Sequence, residues 1–591
     1  MSTLIDKQRP IAGLLDKFTS GACSELMSLV RGMNASADRW ALLSFPIMLI
    51  VVIAGVAAVQ VKLNAWQGAL YDALQRYDVN AFIHQLLVFL LIFVALLCLV
   101  ISQTWLTQVF NVRLRAWLTR DLLDAWLRPK RAHLLTFTGE VGVNPDQRIQ
   151  EDTRHWAELS ADIVGGFTQS TLLLVSFIGV LWLLSEQVLI IIGGNQFTIP
   201  GFLVWCALAY SLAGLWLTRR VGRPLADLNA ERYAREAEFR AGLVRIVEHA
   251  DAIALYRGEA AERLSVDVIF NRLFLVTRAL AGRLVRLTWV TSGHGSLAII
   301  VPFLMAAPGY FEGKLSFGSL VVIVGAFNQV LGALRWQVDN FSRIADWRAT
   351  LSRVVAIREA LAMIEKSRAG EDQILIFEQS VEKLSLEAIQ IYSPVSQGDC
   401  FLLEEEGVEL RTGDHVLVTA ETGAARTSFF LALAGLWPWG KGTMRVPPRA
   451  EAMFLPQRPY LPPGRLRDTI AYPAEGGSFS DQALRGVLKR VGLENLGQDL
   501  ERRESWDKHL SLEEQQALGF ARTLLHAPRW VFLDDALAAL DPATRETLLA
   551  TFKAELSGTA VLSTGRGGFS DGFYGKVLHL RQRHFSERRE K

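Results

Sequence analysis

The sequence predicts an α-helical membrane half of about six spans followed by a cytoplasmic α/β domain. Three observations predict it. The 591 residues are 50% hydrophobic with a mean hydropathy of +0.23, too apolar for a soluble protein of ordinary composition. The long apolar runs all fall in the first half of the chain. Beyond Arg353 the composition changes to short strand-like runs, turns and helices, as in a soluble α/β domain.

Each apolar run approaches the ~20 residues that a membrane-crossing helix needs. They centre on 41–61, 86–110, 163–184, 201–217, 287–307 and 317–336. Pro302 is expected to kink the fifth, and Asn328, Gln329 and Arg335 interrupt the sixth. Sixteen Trp suit the aromatic belts of a membrane protein. A net charge of +2 argues against nucleic acid and acidic partners. The four cysteines, Cys23, Cys98, Cys206 and Cys400, are far apart and read as buried small apolar residues rather than a metal or disulfide framework. Residues 1–38 carry no leading apolar run, so they read as a cytoplasmic amphipathic segment rather than a cleavable signal.

Basic residues set the orientation. The second-to-third connection carries Arg113, Arg115, Arg120, Arg128, Lys130, Arg131, Arg148 and Arg154, and the fourth-to-fifth carries Arg219, Arg220, Arg223, Arg232, Arg235, Arg240, Arg245 and Arg257. The third-to-fourth connection, "SEQVLIIIGGNQFTIP", has none, and the fifth-to-sixth only Lys314. Basic connections stay in the cytoplasm, so both termini are expected there. The run "RYAREAEFRAGLVRIVEHADAIALYRGEAAERL" keeps an apolar stripe with no breaker before Gly258. It reads as a helix leaving the membrane, a turn near 249–251 and a helix returning. The domains expected are a transmembrane domain over 39–350, a linker helix over 351–375 and the α/β domain over 376–591.

Four features follow one another in that last domain. "HVLVT" is a buried-type strand leading into "AETGAARTS" and the helix "FFLALAGLW". This is the place of a phosphate loop, in which Gly lets backbone N–H groups approach phosphate, a cation reaches the β/γ-phosphates and a hydroxyl holds Mg²⁺. Next, Gln457 opens a Pro-rich loop, where it can hold a metal ion or water. Then "HLSLEEQQALGFARTLLHAPRWVFLDD" gives a helix and a strand ending in Asp534 and Asp535, placed for Mg²⁺ and for polarising water, with Asp541 following. Last, "AVLSTGRGG" is a strand ending at Arg566.

Order and spacing together resemble the nucleotide-binding domain of an ABC transporter. The whole chain resembles the SbmA/BacA-like ABC transporters, related to the peroxisomal fatty-acyl group, through "NPDQRIQEDTR", "DAIALYRGEAAE", "ALAGLWPWGKG", "FLPQRPYLPPGRLRDTIAYP" and "LSLEEQQ". The resemblance implies an exporter-like transmembrane domain and a dimer, either a homodimer or a heterodimer with an intact half. It implies ATP and Mg²⁺ as cofactors and the bacterial inner membrane as location. Asn144-Pro145 reads as an N-cap and first-turn proline. By resemblance, Asn144, Pro145, Asp146, Gln147, Arg148, Glu248 and Asp251 couple the two halves.

The motifs depart from the family pattern. Ala420 and Ala425 put a Cβ where the loop needs none, Arg426 replaces the Lys, and only Gly423, Thr427 and Ser428 remain. Ser511 survives in the signature segment, but Glu513 replaces its Gly and Ala517 its Arg. Asp535 stands for the catalytic Glu and Arg566 for the switch His, while Gln457, Asp534 and Asp541 match. Thr427, Gln457 and Asp534 would hold Mg²⁺ if nucleotide binds. The expectation is a transporter of peptides or other hydrophilic solutes with weak or absent ATP hydrolysis, driven by ATP or by the proton gradient. The alternatives are an inert half of a heterodimer and a non-transporting receptor or regulatory protein. His294, in "WVTSGHGSLAII", is the ionisable residue expected on a substrate or proton path.

Overall fold

The computed structural model describes residues 24–584 apart from 37, 143, 187, 189, 193–194, 198, 367–372, 379–381, 393–398, 539 and 566–571. Arg566 and Cys23 therefore lie outside the described residues. The chain divides into two compact units, the first formed by Met1–Ala125 with Asn144–Arg358 and the second by Trp126–Val143 with Glu359–Lys591. The main division thus falls at Arg358, inside the expected linker, and a segment of the second-to-third connection goes with the α/β unit.

Among the described residues, the first unit contains six helices long and apolar enough to cross a membrane. They are α1 (Arg39–Gln75), α2 (Val79–Trp126), α3 (Thr153–Ser185), α4 (Phe202–Glu248), α5 (Glu259–Phe311) and α6 (Phe317–Asp339). The 47 residues of α4 and 53 of α5 rise ~1.5 Å each, more than twice the ~30 Å of bilayer hydrocarbon. They pair antiparallel, tied by Arg245–Glu262 at 3.1 Å and Arg272–Glu238 at 3.8 Å. The expected turn contains a short helix of its own, Ala250–Tyr256, closed by Arg257 in the left-handed region. Pro302 and Pro308 lie inside α5 without ending it. The third-to-fourth connection holds a small hairpin, Ile190–Ile192 against Asn195–Phe197, that the sequence reading leaves as a loop.

Helices α1 and α6 meet at contact distance. A Cβ on Gly318 would lie 2.2 Å from the Gly68 carbonyl oxygen, and one on Gly325 2.1 Å from Asn64 Oδ1. Polar groups close the seam: Asn64 Nδ2 donates to the Val322 carbonyl at 3.1 Å, and Asp72 accepts from Gly318 N at 2.8 Å and Ser316 Oγ at 3.0 Å. Small residues and interhelical hydrogen bonds are what hold helices together in lipid, where burial of apolar surface supplies no drive.

Helix α7 (Phe341–Lys366) leads toward the α/β unit. Its first part is bound to α3 and the turn before it by Arg353 on both oxygens of Asp152, Trp347 Nε1 on Ser160 Oγ at 2.7 Å, and Arg343 on Asp162. Asn144 occupies the N-cap position of the short helix Pro145–Gln147, in the left-handed region and without a side-chain capping bond.

The second unit is built on a ten-stranded sheet. Its strands are β1 (Leu375–Glu378), β2 (Lys383–Tyr392), β3 (Asp399–Leu403), β4 (Val408–Arg411), β5 (His415–Ala420), β6 (Gly440–Val446), β7 (Ala452–Leu455), β8 (Trp530–Asp534), β9 (Ala560–Gly565) and β10 (Lys576–His584). The path is β1-β6-β2-β3-β10-β5-β9-β8-β7, with β4 on β2. Strands β7, β8, β9, β5 and β10 are mutually parallel. Strands β8 and β9 are buried throughout and read as largely apolar runs, whereas β10 alternates buried Leu578 and Leu580 with exposed neighbours. Phe429, Phe430 and Leu386 pack on one side, and Leu484, Leu518 and Phe520 on the other. The segment Trp126–Val143 joins this unit through Phe137, whose ring meets Trp437 at 5.5 Å and Trp439 at 4.8 Å, both edge-on. Of the described cysteines, Cys400 is buried as expected, while Cys206 is half-buried and Cys98 exposed on the apolar surface of α2.

Candidate functional site

The parallel registers bring Arg426, Thr427, Asp534 and Asp535 together at the carboxyl end of the sheet. Gly565 pairs with Thr419 and Asp534 with Thr564, so β5, β9 and β8 end together. Ligands of open parallel sheets bind beyond such carboxyl ends. Helix α8 (Gly423–Leu433) starts there, two residues after β5 ends.

The stretch expected to be a phosphate loop runs straight into helix. No residue of 420–428 has a positive φ, so the concave nest of backbone N–H groups that cradles an anion is not formed. The stretch instead winds directly into α8, capped by Thr422, whose hydroxyl accepts from Ala425 N at 3.4 Å. The alanines explain this: Ala at 420 and 425 resists the positive φ that Gly accepts freely. Gly423, the glycine that remains, sits inside the helix.

Arg426 turns inward. Its side chain is 8% exposed and donates to Asp535 Oδ2 at 3.4 Å and to the Ala420 carbonyl at 3.5 Å. The cation expected in a phosphate loop is thus paired with the carboxylate expected to polarise water. Asp535 is itself held in the left-handed region at φ 50, its N–H on the Thr564 carbonyl. The neighbouring residues expected to hold Mg²⁺ meet: Thr427 Oγ1 donates to Asp534 Oδ2 at 3.1 Å, and Thr564 Oγ1 to Asp534 Oδ1 at 2.8 Å. Burial pushes the Asp534 carboxyl up, and these two hydroxyls oppose the shift. Ser428 is buried in α8, and Gln457 is exposed with its carbonyl accepting from Gln516 Nε2 at 2.8 Å.

The signature helix α9 (Leu512–His526) is closed in the same way. Ser511 and Glu514 form a reciprocal capping box, Ser511 Oγ accepting from Glu514 N and Glu514 Oε2 from Ser511 N. Glu513 in its first turn is in hydrogen-bond contact with Asp541, the N-cap of α10 (Pro542–Glu555). Both helix N-termini that should face phosphate are therefore capped by the chain's own oxygens. The residues fit Mg²⁺ at Thr427 and Asp534 but do not fit a triphosphate in this conformation, so no hydrolytic step follows from this geometry.

The Thr544 hydroxyl and N–H, with Glu513, hold Asp541 well below its ordinary 3.8, at about 2, while the Asp541 carboxylate pushes Glu513 up. A depressed carboxylate stabilises the fold above its unfolded value, and that contribution disappears as pH falls through the folded one. The raised Glu513 has the opposite sign: its contribution is present at low pH and lost as pH rises. Denaturant unfolding should therefore show stability falling between pH 3.8 and about 2, and Asp541→Asn should flatten that limb.

Sequence reading missed Arg522. It is buried, pulled down to about 10 by desolvation, and donates to the Thr469 carbonyl at 2.7 Å and the Tyr460 carbonyl at 3.2 Å. It ties α9 to the Pro-rich segment, and nothing in its local pattern marks it. In the first unit, His294 is not in open space. Its ring stacks on Tyr210 at 4.1 Å, Tyr210 Oη donates to its carbonyl at 2.5 Å, and a Cβ on Gly214 would lie 2.2 Å from Nε2. Arg335 pairs with Asp339 at 3.2 Å. Glu248 and Asp251 are exposed beside the α4–α5 turn, and Asp146 and Gln147 lie in the short helix before Arg148.

Six apolar helices are followed by a sheet domain that is consistent with the nucleotide-binding domain of an ABC transporter. Residues 35–311 match the family model of ABC transporter transmembrane region 2. Over 98% of its length the chain is 28% identical to an uncharacterized ABC transporter ATP-binding protein of Synechocystis, covering 85% of that relative. It is 26% identical to the inner membrane ABC transporter ATP-binding protein YddA of Escherichia coli over 87% of this chain and 90% of the relative. It is 27% identical to the chloroplastic ABC transporter D family member 2 of Arabidopsis thaliana over 86% of this chain and 79% of the relative.

Proposed function

We propose that this chain is a transporter of the SbmA/BacA-like type, moving peptides or other hydrophilic solutes across the bacterial inner membrane as a dimer with its termini in the cytoplasm. Its nucleotide domain holds ATP weakly and hydrolyses it slowly or not at all. One observation carries this reading: Arg426 is buried against Asp535 in a loop that has closed into helix. The two groups that should act on opposite ends of a phosphate are spent on each other, and losing even one oriented group costs ~10²-fold or more in rate.

A second copy is the partner. The turn between α4 and α5 leaves Leu255 84% and Tyr256 87% exposed at the far end of a hairpin longer than the bilayer needs. Large apolar side chains at such a tip suit a protein surface better than water. The proton gradient supplies the energy, with His294 on the path. The test uses purified chain in vesicles carrying a labelled hydrophilic peptide. ATP turnover should be at background, and uptake should collapse with a protonophore and survive ATP depletion. Uptake that needs ATP and ignores the protonophore sinks the reading.

A further inference from the structure

Five arginines form one band on the α4–α5 hairpin: Arg219, Arg220 and Arg223 on α4, and Arg283 and Arg286 on α5. Packing sets their level. A Cβ on Gly222 would lie 3.9 Å from Leu287 Cδ1, and Gly214 sits against His294 farther into the apolar region, so Arg223 and Arg286 stand side by side in height. All five are exposed, directly beyond the apolar stretches 201–217 and 287–307. Residues 202–226 and 268–311 of the two helices contain no Asp or Glu. Asp227, the nearest acid, is one turn beyond Arg223 on the side away from the apolar run.

Farther along the same hairpin the pattern reverses. Arg235 pairs with Glu238, Arg245 with Glu262 and Arg272 with Glu238. Among the described residues, none of the five has an ion pair or a hydrogen bond through its side chain. Trp216, 68% exposed, lies one turn on the apolar side of Arg219 and Arg220, and Trp289, 79% exposed, follows Arg286. On α4, Trp216, Arg219, Arg220 and Arg223 fall within one arc of the helix.

We propose that this band binds the phosphate headgroups of anionic lipids in the leaflet on its side of the membrane. Uncompensated charge beside an apolar span needs anions at that height, and a guanidinium fork matches phosphate oxygens in pairs. Each basic residue near an anionic surface contributes about 1 kcal/mol, and Trp at the boundary fixes the depth. The inference depends on the helices crossing a membrane, not on what the chain carries, so its test involves no transport.

The full chain is placed in phosphatidylcholine vesicles containing either brominated phosphatidylglycerol or, at equal mole fraction, brominated phosphatidylcholine. The Trp289 contribution is the difference in quenching between native and Trp289→Phe chains. Brominated phosphatidylglycerol should quench it more. Arg220→Gln should reduce that preference by up to about fivefold, and Gln at all five positions should abolish it. Lys at all five should retain most of it, which separates loss of the headgroup site from misfolding. Equal quenching by the two lipids, or a preference that survives the five Gln substitutions, overturns the proposal. So does collapse of the preference in millimolar inorganic phosphate, which would mark a free-anion site instead.

Discussion

A chain carrying Ala420→Gly, Ala425→Gly and Arg426→Lys should bind ATP about a hundredfold more tightly than the native chain. Each N–H donated to a charged oxygen is worth about 1.5–3 kcal/mol, and 1.4 kcal/mol is tenfold in affinity. Recovering two such bonds from the closed loop is enough. In the native chain Ala425 N is engaged by Thr422 Oγ1, and the Arg426 guanidinium by Asp535 and the Ala420 carbonyl. Gly at 420 and 425 restores the freedom to enter positive φ, and Lys is short enough to leave Asp535 and reach outward. The cost of Gly in place of Ala425 is about 1 kcal/mol of helix propensity, smaller than the gain. Titration with a fluorescent ATP analogue in the presence of Mg²⁺ reads the effect. Unchanged affinity would mean that the loop opens easily and that something else limits binding.

Hydrolysis should stay low in that triple variant, because other lesions are independent of the loop. Glu513 is drawn to Asp541 by a contact within one chain, and its charge sits at the helix end that should offer N–H groups to phosphate. Asp535 is one methylene shorter than Glu. Adding Glu513→Gly and Asp535→Glu should raise turnover by a further factor of about 10², the effect of one oriented group. Binding and turnover would then have been repaired in separate steps.

How far the molecule could be read from its letters depends on sequence distance. The spans were legible because each is a single local run, and lipid demands that its backbone be satisfied within the helix. The sheet domain was legible from the order of four local motifs. What those residues do to one another was not. Arg426 and Asp535 are 109 positions apart, and only a parallel crossover brings them together. Phe137 reads as an unremarkable residue of a basic connection. Its partners Trp437 and Trp439 sit in "GLWPWG", so its membership of the second unit has no local signal. Gly293 and Gly295 flank His294 in the sequence, but the ring's surroundings are set by Tyr210 and Gly214 on another helix. Asp72 reads as a charge near a span end, yet it caps α6 from 246 residues away.

That cap leads to the strongest expected effect on stability. Gly318→Ala should destabilise the membrane half by about 3 kcal/mol, while Gly332→Ala on the same helix should be neutral or slightly stabilising. Both are helical glycines without positive φ, so Ala brings each up to about 1 kcal/mol of propensity. They differ in what a methyl meets. At Gly332 nothing lies within 4 Å, whereas at Gly318 the Gly68 carbonyl oxygen is at 2.2 Å and Asp72 Cγ at 2.6 Å. One obstacle is backbone, so no rotamer relieves it, and α1 and α6 must separate. Overpacking of this kind costs about 1–3 kcal/mol. Separation also lengthens the charge-assisted bond from Gly318 N to Asp72 at 2.8 Å, worth about 1.5–3 kcal/mol. Together these outweigh the propensity gain several-fold. Thermal unfolding of the two variants in the same detergent gives the comparison. Equal melting temperatures would show that the seam between α1 and α6 is loose enough to absorb a methyl group.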